Sequence, residues 1–273
     1  MDAQAAVKTI RVAVCGAKGK MGQEVVKTVL NDAELKLAGV VDPHGLGESV
    51  NDFFGTAQEP GMQFDQDLKA LLAREKPDVC VDFTNPDVVY PNTMAMIEAG
   101  CRPVIGTTGL TPEQLQEIDN ALKSRGLGGM VVPNFAIGAV LMMKFAQEAA
   151  RYFDHAEIIE LHHNRKADAP SGTALKTAEL MRQSQSTFGP TNSPEKEVIA
   201  GARGATDPAN IHIHSVRLPG YIAHQEVIFG GPGQILTIRH DSMDRACFMP
   251  GVALSAKKVM QLQGLVYGLE HIL

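Results

Sequence analysis

Apolar residues in the first half of the chain come in short blocks separated by stretches of helical spacing. Ile10-Arg11-Val12-Ala13-Val14-Cys15, Leu35 to Val41, Val79-Cys80-Val81-Asp82-Phe83, Pro103-Val104-Ile105 and Met130-Val131-Val132 are rich in β-branched residues. Each runs into a Gly, Asp, Thr or Pro-Asn step, which predicts five strands. Between the first two, Val25, Val26, Val29 and Leu30 recur with a helical period. Leu68, Leu71 and Leu72 mark a short helix, Pro86 opens another, and Pro112 to Lys123 reads as a third capped by Thr111. Residues 43–64 are rich in Gly and polar groups and read as loop. Strand and helix alternate, so the expected form is a parallel sheet with helices on both faces. In such sheets ligands gather beyond the carboxyl ends of the strands. Those ends carry Gly16, Asp42, Phe83-Thr84 and Gly106-Thr107-Thr108.

The rhythm then changes. A long amphipathic helix from Ile137 to Arg151 leads to a strand over 156–162 and a helical pattern from Leu175 to Met181. Residues 186–210 hold Ser, Pro, Gly, Asn and Asp and read as irregular. Ile211–Leu218, Glu226–Phe229 and Ile235–His240 are strand-like, and their short Gly-containing connections predict antiparallel neighbours. A final helix, Gly251 to Gln261, is expected to return to the first domain. The fold expected is α/β: an N-terminal Rossmann-like doubly wound parallel sheet followed by a second α+β domain. The division reads as 1–134, completed by a C-terminal helix at about 246–273, and 135–245.

Composition narrows the function. A net charge of −6 and a pI near 5.8 argue against a general nucleic-acid binder or an acidic-membrane binder. The four cysteines form no C-x-x-C pair, and Cys15 and Cys80 lie inside apolar runs. This points to a reducing cytoplasm without disulfides or a cysteine zinc site. The N-terminus lacks a secretory apolar core, and no uncharged stretch is long enough to span a bilayer.

The chemistry concentrates in two places. Gly16-x-x-Gly19-x-x-Gly22 sits between a strand and a helix, where glycines let backbone approach a pyrophosphate at a helix N-terminus. Asp42 closes the next strand 20 residues beyond Gly22, where an acidic residue meets adenosine ribose hydroxyls. A carboxylate there favours NAD, whereas Lys18 and Lys20 could face an added phosphate or simply be solvated. The second place is Glu160-Leu161-His162-His163-Asn164-Arg165-Lys166-Ala167-Asp168-Ala169-Pro170-Ser171-Gly172-Thr173-Ala174. A strand end, a cationic loop and a helix N-terminus in succession suit a small anion. His162 can exchange a proton near neutral pH. Ser171 reads equally as a helix cap or as part of a ligand loop. His212 and His214 share one strand face but have no third ligand nearby in sequence, and Arg165 and Lys166 would oppose a cation beside His162 and His163. No metal site is therefore expected.

The long His-His…Lys…Pro-Ser-Gly-Thr run resembles the signature of the 4-hydroxy-tetrahydrodipicolinate reductase family, formerly dihydrodipicolinate reductase. Val14 to Gly22, Asp82-Phe83-Thr84, Gly106-Thr107-Thr108-Gly109, Pro133-Asn134-Phe135 and the Asp241–Gly251 region follow in the family's order. The resemblance implies reduction of a small dianionic heterocyclic dicarboxylate by NADH or NADPH, in diaminopimelate and lysine biosynthesis. It implies a homotetramer whose second domain both binds substrate and forms the intersubunit sheet.

Position by position, the resemblance assigns Gly16, Ala17, Lys18, Gly19, Lys20 and Met21 to the pyrophosphate and Asp42 to the ribose. Gly106, Thr107 and Thr108 would lie beside the nicotinamide, as would Pro133, Asn134, Phe135 and Ala136. His162 and Lys166 would be catalytic. His163, Gly172, Thr173, Thr108 and Arg245 would bind substrate. Some relatives carry a basic residue directly after the ribose carboxylate; here Pro43 stands there, followed by His44. Two other readings fit the residues alone: another nicotinamide-dependent dehydrogenase of a small dicarboxylate, and a non-enzymatic NAD(P) sensor. A sensor has no need of His162 and Lys166 together.

Overall fold

The computed structural model describes residues 9–189 and 196–273, so part of the irregular 186–210 segment lies outside the described residues. The elements in order are β1 (Ile10–Cys15), α1 (Lys20–Asn31), β2 (Leu35–Val41), α2 (Val50–Phe54), β3 (Phe64–Asp65), α3 (Leu68–Glu75), β4 (Val79–Asp82), α4 (Pro86–Glu98), β5 (Arg102–Ile105), α5 (Pro112–Ser124) and β6 (Gly128–Val131). Then come α6 (Ile137–Ala149), β7 (His155–His162), α7 (Gly172–Ser184), β8 (Ala205–Thr206), β9 (His212–Arg217), β10 (Ala223–Gly231) and β11 (Gln234–Ser242). The chain closes with α8 (Met249–Lys258) and β12 (Gly264–Tyr267). Two compact units result: Met1–Phe135 with Phe248–Leu273, and Ala136–Cys247.

The first unit is a seven-stranded sheet in the order β12-β6-β5-β4-β1-β2-β3, with every pairing parallel. Val12, Ala13 and Val14 of β1 and Val79, Cys80 and Val81 of β4 are all fully buried. A parallel strand covered on both faces has no polar side, which is why these segments read as unbroken apolar runs. α5 begins with a capping box: Thr111 accepts from the Gln114 amide, and the Gln114 side chain accepts from the Thr111 amide.

Two stretches of this unit differ from the sequence expectation. The predicted loop at 43–64 contains α2, capped by Ser49, and reaches β3, which pairs with β2. Five and two residues are too few for a period to register. The C-terminal segment is not helix alone, because β12 follows α8 and adds an edge strand beside β6.

The second unit is a five-stranded sheet in the order β11-β10-β7-β9-β8. β10 and β11 form the expected antiparallel hairpin, with Gly231 opposite Gln234. β9 departs from the expectation: it runs parallel to β7 and is separated from β10 by it. Ile158, Ile213, Val227 and Phe229 line the buried face, against which α6 and α7 pack. Glu157, Ile159, Glu226 and Arg239 occupy the opposite face, half-buried or exposed.

Candidate active site

In the first unit the turn after β1 is fixed by two close approaches. Gly16 has φ +74°, and a Cβ there would lie 2.5 Å from the Phe83 carbonyl oxygen. A Cβ on Gly22 would fall onto the Gly16 carbonyl, so only glycine lets α1 start this close to the turn. Gly19 caps α1 without a side-chain hydrogen bond, and the first turn carries no acidic residue. The positive helix end therefore opens on an uncapped turn in which Gly19 and Lys20 are exposed. Asp42 is 5% exposed at the end of β2. It accepts from the Lys18 amide (2.9 Å) and the His44 amide (3.0 Å), which hold its carboxylate beside the turn. The Lys18 ammonium reaches Glu48 at 2.5 Å and the His44 carbonyl at 3.1 Å, and lies 5.0 Å from the Phe53 ring centre.

The ends of β4 and β5 are tied by a carboxylate that sequence reading gave no role. Asp82 is fully buried and accepts from the Thr84 amide and hydroxyl, the Asn92 amide and the Thr107 hydroxyl (2.8 Å). The Thr107 hydroxyl is thus engaged inward, and in Gly106-Thr107-Thr108 only Thr108 is exposed. Phe135 is buried against Phe83, with ring centres 5.5 Å apart. Pro133 is exposed, Asn134 half-buried and Ala136 buried at the start of α6.

In the second unit the organising group is Glu160. It lies two residues before His162 on β7, so both project from one strand face. Its side chain is 0% exposed. One oxygen meets His162 Nδ1 at 2.5 Å and the Arg217 guanidinium at 2.8 Å. The other takes Arg217 Nη2 at 2.6 Å and the Ser171 amide at 3.2 Å. Burial alone would raise the Glu160 pKa, but hydrogen bonds from Arg217, Ser215 and His162 outweigh it and hold the carboxyl below its usual range. A carboxylate facing Nδ1 places that ring proton on Nδ1 and leaves Nε2 to face outward chemistry. For His162, burial pushes the pKa below its ordinary value; Glu160 pulls it back up, and Lys166 and Arg217 push it down.

The loop after β7 is anchored at its far end. Ser171 caps α7 by accepting from the Ala174 amide at 3.2 Å, and the Arg217 guanidinium holds the Asp168 carbonyl at 2.8 Å. The positive end of α7 therefore opens at Gly172 and Thr173, at the far end of the anchored loop that begins after His162 and carries Arg165 and Lys166. His163 and Arg165 are exposed. The Lys166 ammonium grips both oxygens of Asp168 at 2.8 and 2.9 Å. Arg245 is exposed at the start of a short 3₁₀ turn and, among the described residues, forms no ion pair.

Sequence reading missed Glu160, Arg217 and Asp82 as organisers. The signal for Glu160 was its two-residue offset from His162, the strand period. Arg217 had none, because it comes from β9, whose parallel pairing puts Arg217 opposite His162. His214 pairs with Glu157 at 2.8 Å, and His212 bonds the Arg203 carbonyl at 2.9 Å. Among the described residues, no cluster of His, Cys, Asp and Glu could hold a metal ion, and no helix is long and apolar enough to cross a membrane.

A parallel sheet with a glycine turn and a buried carboxylate at the end of the next strand, joined in one chain to a histidine–carboxylate pair beside a helix N-terminus, fits a nicotinamide-dinucleotide oxidoreductase, the class to which the relatives belong. Residues 10–135 match the family described as dihydrodipicolinate reductase, N-terminus, and residues 138–273 match dihydrodipicolinate reductase, C-terminus. The chain belongs to this family. It is 52% identical to the 4-hydroxy-tetrahydrodipicolinate reductase of Synechocystis sp. over 97% of this chain and 98% of that one. It is 53% identical to the enzyme of the same name from Listeria monocytogenes serotype 4b, over 97% and 100%. Among solved structures it resembles a dipicolinate-bound dihydrodipicolinate reductase from Paenisporosarcina sp. TG-14, with TM-score 0.88, 49% identity and coverage of 97% and 100%. An amine dehydrogenase from Mycobacterium smegmatis, 16% identical with TM-score 0.66, shares the fold.

Proposed function

We infer that the chain reduces (2S,4S)-4-hydroxy-2,3,4,5-tetrahydrodipicolinate to (S)-2,3,4,5-tetrahydrodipicolinate, with loss of water and oxidation of NADH or NADPH, in diaminopimelate and lysine biosynthesis. The observation that carries this reading is the Glu160–His162 pair beside the N-terminus of α7, in a chain closely similar to reductases named for that reaction. The ring takes up one hydride and one proton, and its hydroxyl leaves as water.

The first unit fits a dinucleotide. The uncapped start of α1 suits the pyrophosphate, with Gly16 to Met21 around it, and Asp42 suits the ribose hydroxyls. Thr108 and the Pro133 to Ala136 segment take the nicotinamide side; Gly106 and Thr107 contribute backbone there, since the Thr107 hydroxyl is held by Asp82. When bound, the nicotinamide supplies the hydride.

His162 supplies the proton. Glu160 keeps Nδ1–H in place and favours the imidazolium, so Nε2–H is the donating group. The substrate is a dianion. Gly172 and Thr173 at the positive end of α7 take one carboxylate, with His163 and Arg245 as further contacts. Lys166 exchanges Asp168 for the substrate and acts as a second proton donor. The Paenisporosarcina protein holds dipicolinate, a dicarboxylate with the same carbon–nitrogen skeleton. The tetramer forms through the open face of the second unit's sheet. The deciding experiment is a coupled assay with freshly synthesised substrate, following NADH and NADPH oxidation separately. No oxidation of either cofactor by a folded protein would overturn the reading.

A further inference from the structure

Lys18 donates its amide to Asp42, so its side chain leaves the backbone directly beside the carboxylate assigned to the adenosine ribose. A 2′-phosphate on that ribose would lie within reach of this lysine. The ammonium is already engaged, however, by the Glu48 carboxylate, by the His44 carbonyl and by the face of Phe53. Glu48 follows β2 and precedes the cap of α2, a stretch that sequence reading had taken for featureless loop. The turn therefore presents two carboxylates, Asp42 and Glu48, and a lysine whose charge one of them neutralises.

We propose that Glu48 is the residue that sets the NADH-to-NADPH preference, by holding Lys18 away from the 2′-phosphate position. The proposal rests on the assignment of Asp42 to the adenosine ribose. NADPH differs from NADH there by a phosphate carrying nearly two negative charges. To bind it, the site must either break the Lys18–Glu48 pair or tolerate Glu48 as a like-charged neighbour. Both terms oppose NADPH, and neither touches NADH. Replacing Glu48 with glutamine removes both at once while keeping the side-chain shape. The pair is partly solvated, with Glu48 42% and Lys18 23% exposed, so the effect is of modest size. It shrinks as salt screens the charges.

The test uses adenosine fragments, which report the ribose position without the nicotinamide. Isothermal titration compares 5′-AMP with adenosine 2′,5′-bisphosphate on the wild-type protein, Glu48→Gln, and the Glu48→Gln/Lys18→Gln double variant. Glu48→Gln is expected to bind the bisphosphate about three- to tenfold more tightly at low salt, the scale of one partly solvated charge contact. Binding of 5′-AMP by Glu48→Gln should be unchanged, and the double variant should lose the gain in bisphosphate binding measured relative to its own 5′-AMP affinity. A parallel shift in the NADPH-to-NADH KM ratio is expected. Unchanged bisphosphate affinity in a variant that still binds 5′-AMP would overturn the role of Glu48 and leave the proposed function standing. A gain that survives in the double variant would show that Glu48 does not act through Lys18. If the wild-type protein binds neither fragment nor intact NADH, the ribose assignment of Asp42 fails, and the proposal with it.

Discussion

Replacing Glu160 with glutamine should move the pH profile of catalysis as well as lower its height. The carboxylate touches His162 Nδ1 at 2.5 Å and is fully enclosed. A hydrogen bond between a charged pair contributes about 1.5–3 kcal/mol, and about 1.4 kcal/mol is a factor of ten. At neutral pH, kcat should therefore fall about 10- to 100-fold. The direction of the pH effect follows from the groups around the ring. Burial depresses the His162 pKa, Glu160 opposes that, and Lys166 and Arg217 reinforce it. Without the carboxylate the depressing influences act alone, and the imidazolium is lost at lower pH than in the wild type.

The donor form exists below the His162 pKa, so activity falls as pH rises through it. The descending limb should accordingly shift to lower pH in Glu160→Gln, and the deficit should narrow as the assay is acidified. KM for substrate should change less than kcat, because the pair acts where the proton moves. Glutamine can still accept from Arg217, and a thermal melt confirms that the variant is folded before its kinetics are read. Glu160→Asp keeps the charge at a longer reach and should recover part of the loss with a smaller shift. A Glu160→Gln profile that superimposes on the wild type after scaling, or a limb displaced to higher pH, would refute the role given to this carboxylate.

His162→Ala and Lys166→Ala should each lower kcat roughly 10²- to 10⁴-fold in steady-state assays while leaving the cofactor Kd unchanged; near-normal kcat in both would place the proton donor elsewhere. Thr173→Val should instead mainly raise KM for substrate, as expected of a group that binds a carboxylate at the start of α7. Gly22→Ala forces a methyl onto the Gly16 carbonyl, so NADH titration should show roughly a 5- to 150-fold loss of affinity, on the order of 1–3 kcal/mol of overpacking. Light scattering at micromolar protein should give four times the 29.3 kDa chain mass, and a fully active monomer would exclude assembly through the open face of the second unit's sheet.

The sequence was most legible where structure is local and strongly patterned. Val12 to Cys15 and Leu37 to Val41 announce strands because both of their faces are buried. Thr111 before Pro112 announces a helix start because the cap adjoins the helix it opens. It was least legible where the determining partner is remote. Nothing in His212 to Arg217 states that its neighbour is β7 and not β10, since periodicity reports which faces are covered and not who covers them. Arg217 became visible as the partner of Glu160 only once that pairing was known. Gly264 to Tyr267 is no shorter than β5 or β6 but was absorbed into the expected C-terminal helix, and its place is fixed by β6, far back along the chain. In the candidate site, the motif supplied the residues proposed to meet ligand. The structure added the groups that hold them, Glu160 and Asp82, whose burial gives no sequence signal beyond a single acidic letter in an apolar run.

The edge position of β12 has a consequence for how the protein is made. A chain emerging from the ribosome lays down β1 to β6 first and then the whole of the second unit, before Gly264 can reach Gly128. Throughout that interval the β6 edge offers unpaired backbone groups on a nascent sheet, the kind of edge that recruits stray strands. The inserted unit is contiguous in sequence and can mature while the earlier one waits. Ribosome-stalled chains ending before residue 262 should accordingly protect the inserted unit from protease while the β6 edge stays labile, and release of the last strand should close the sheet.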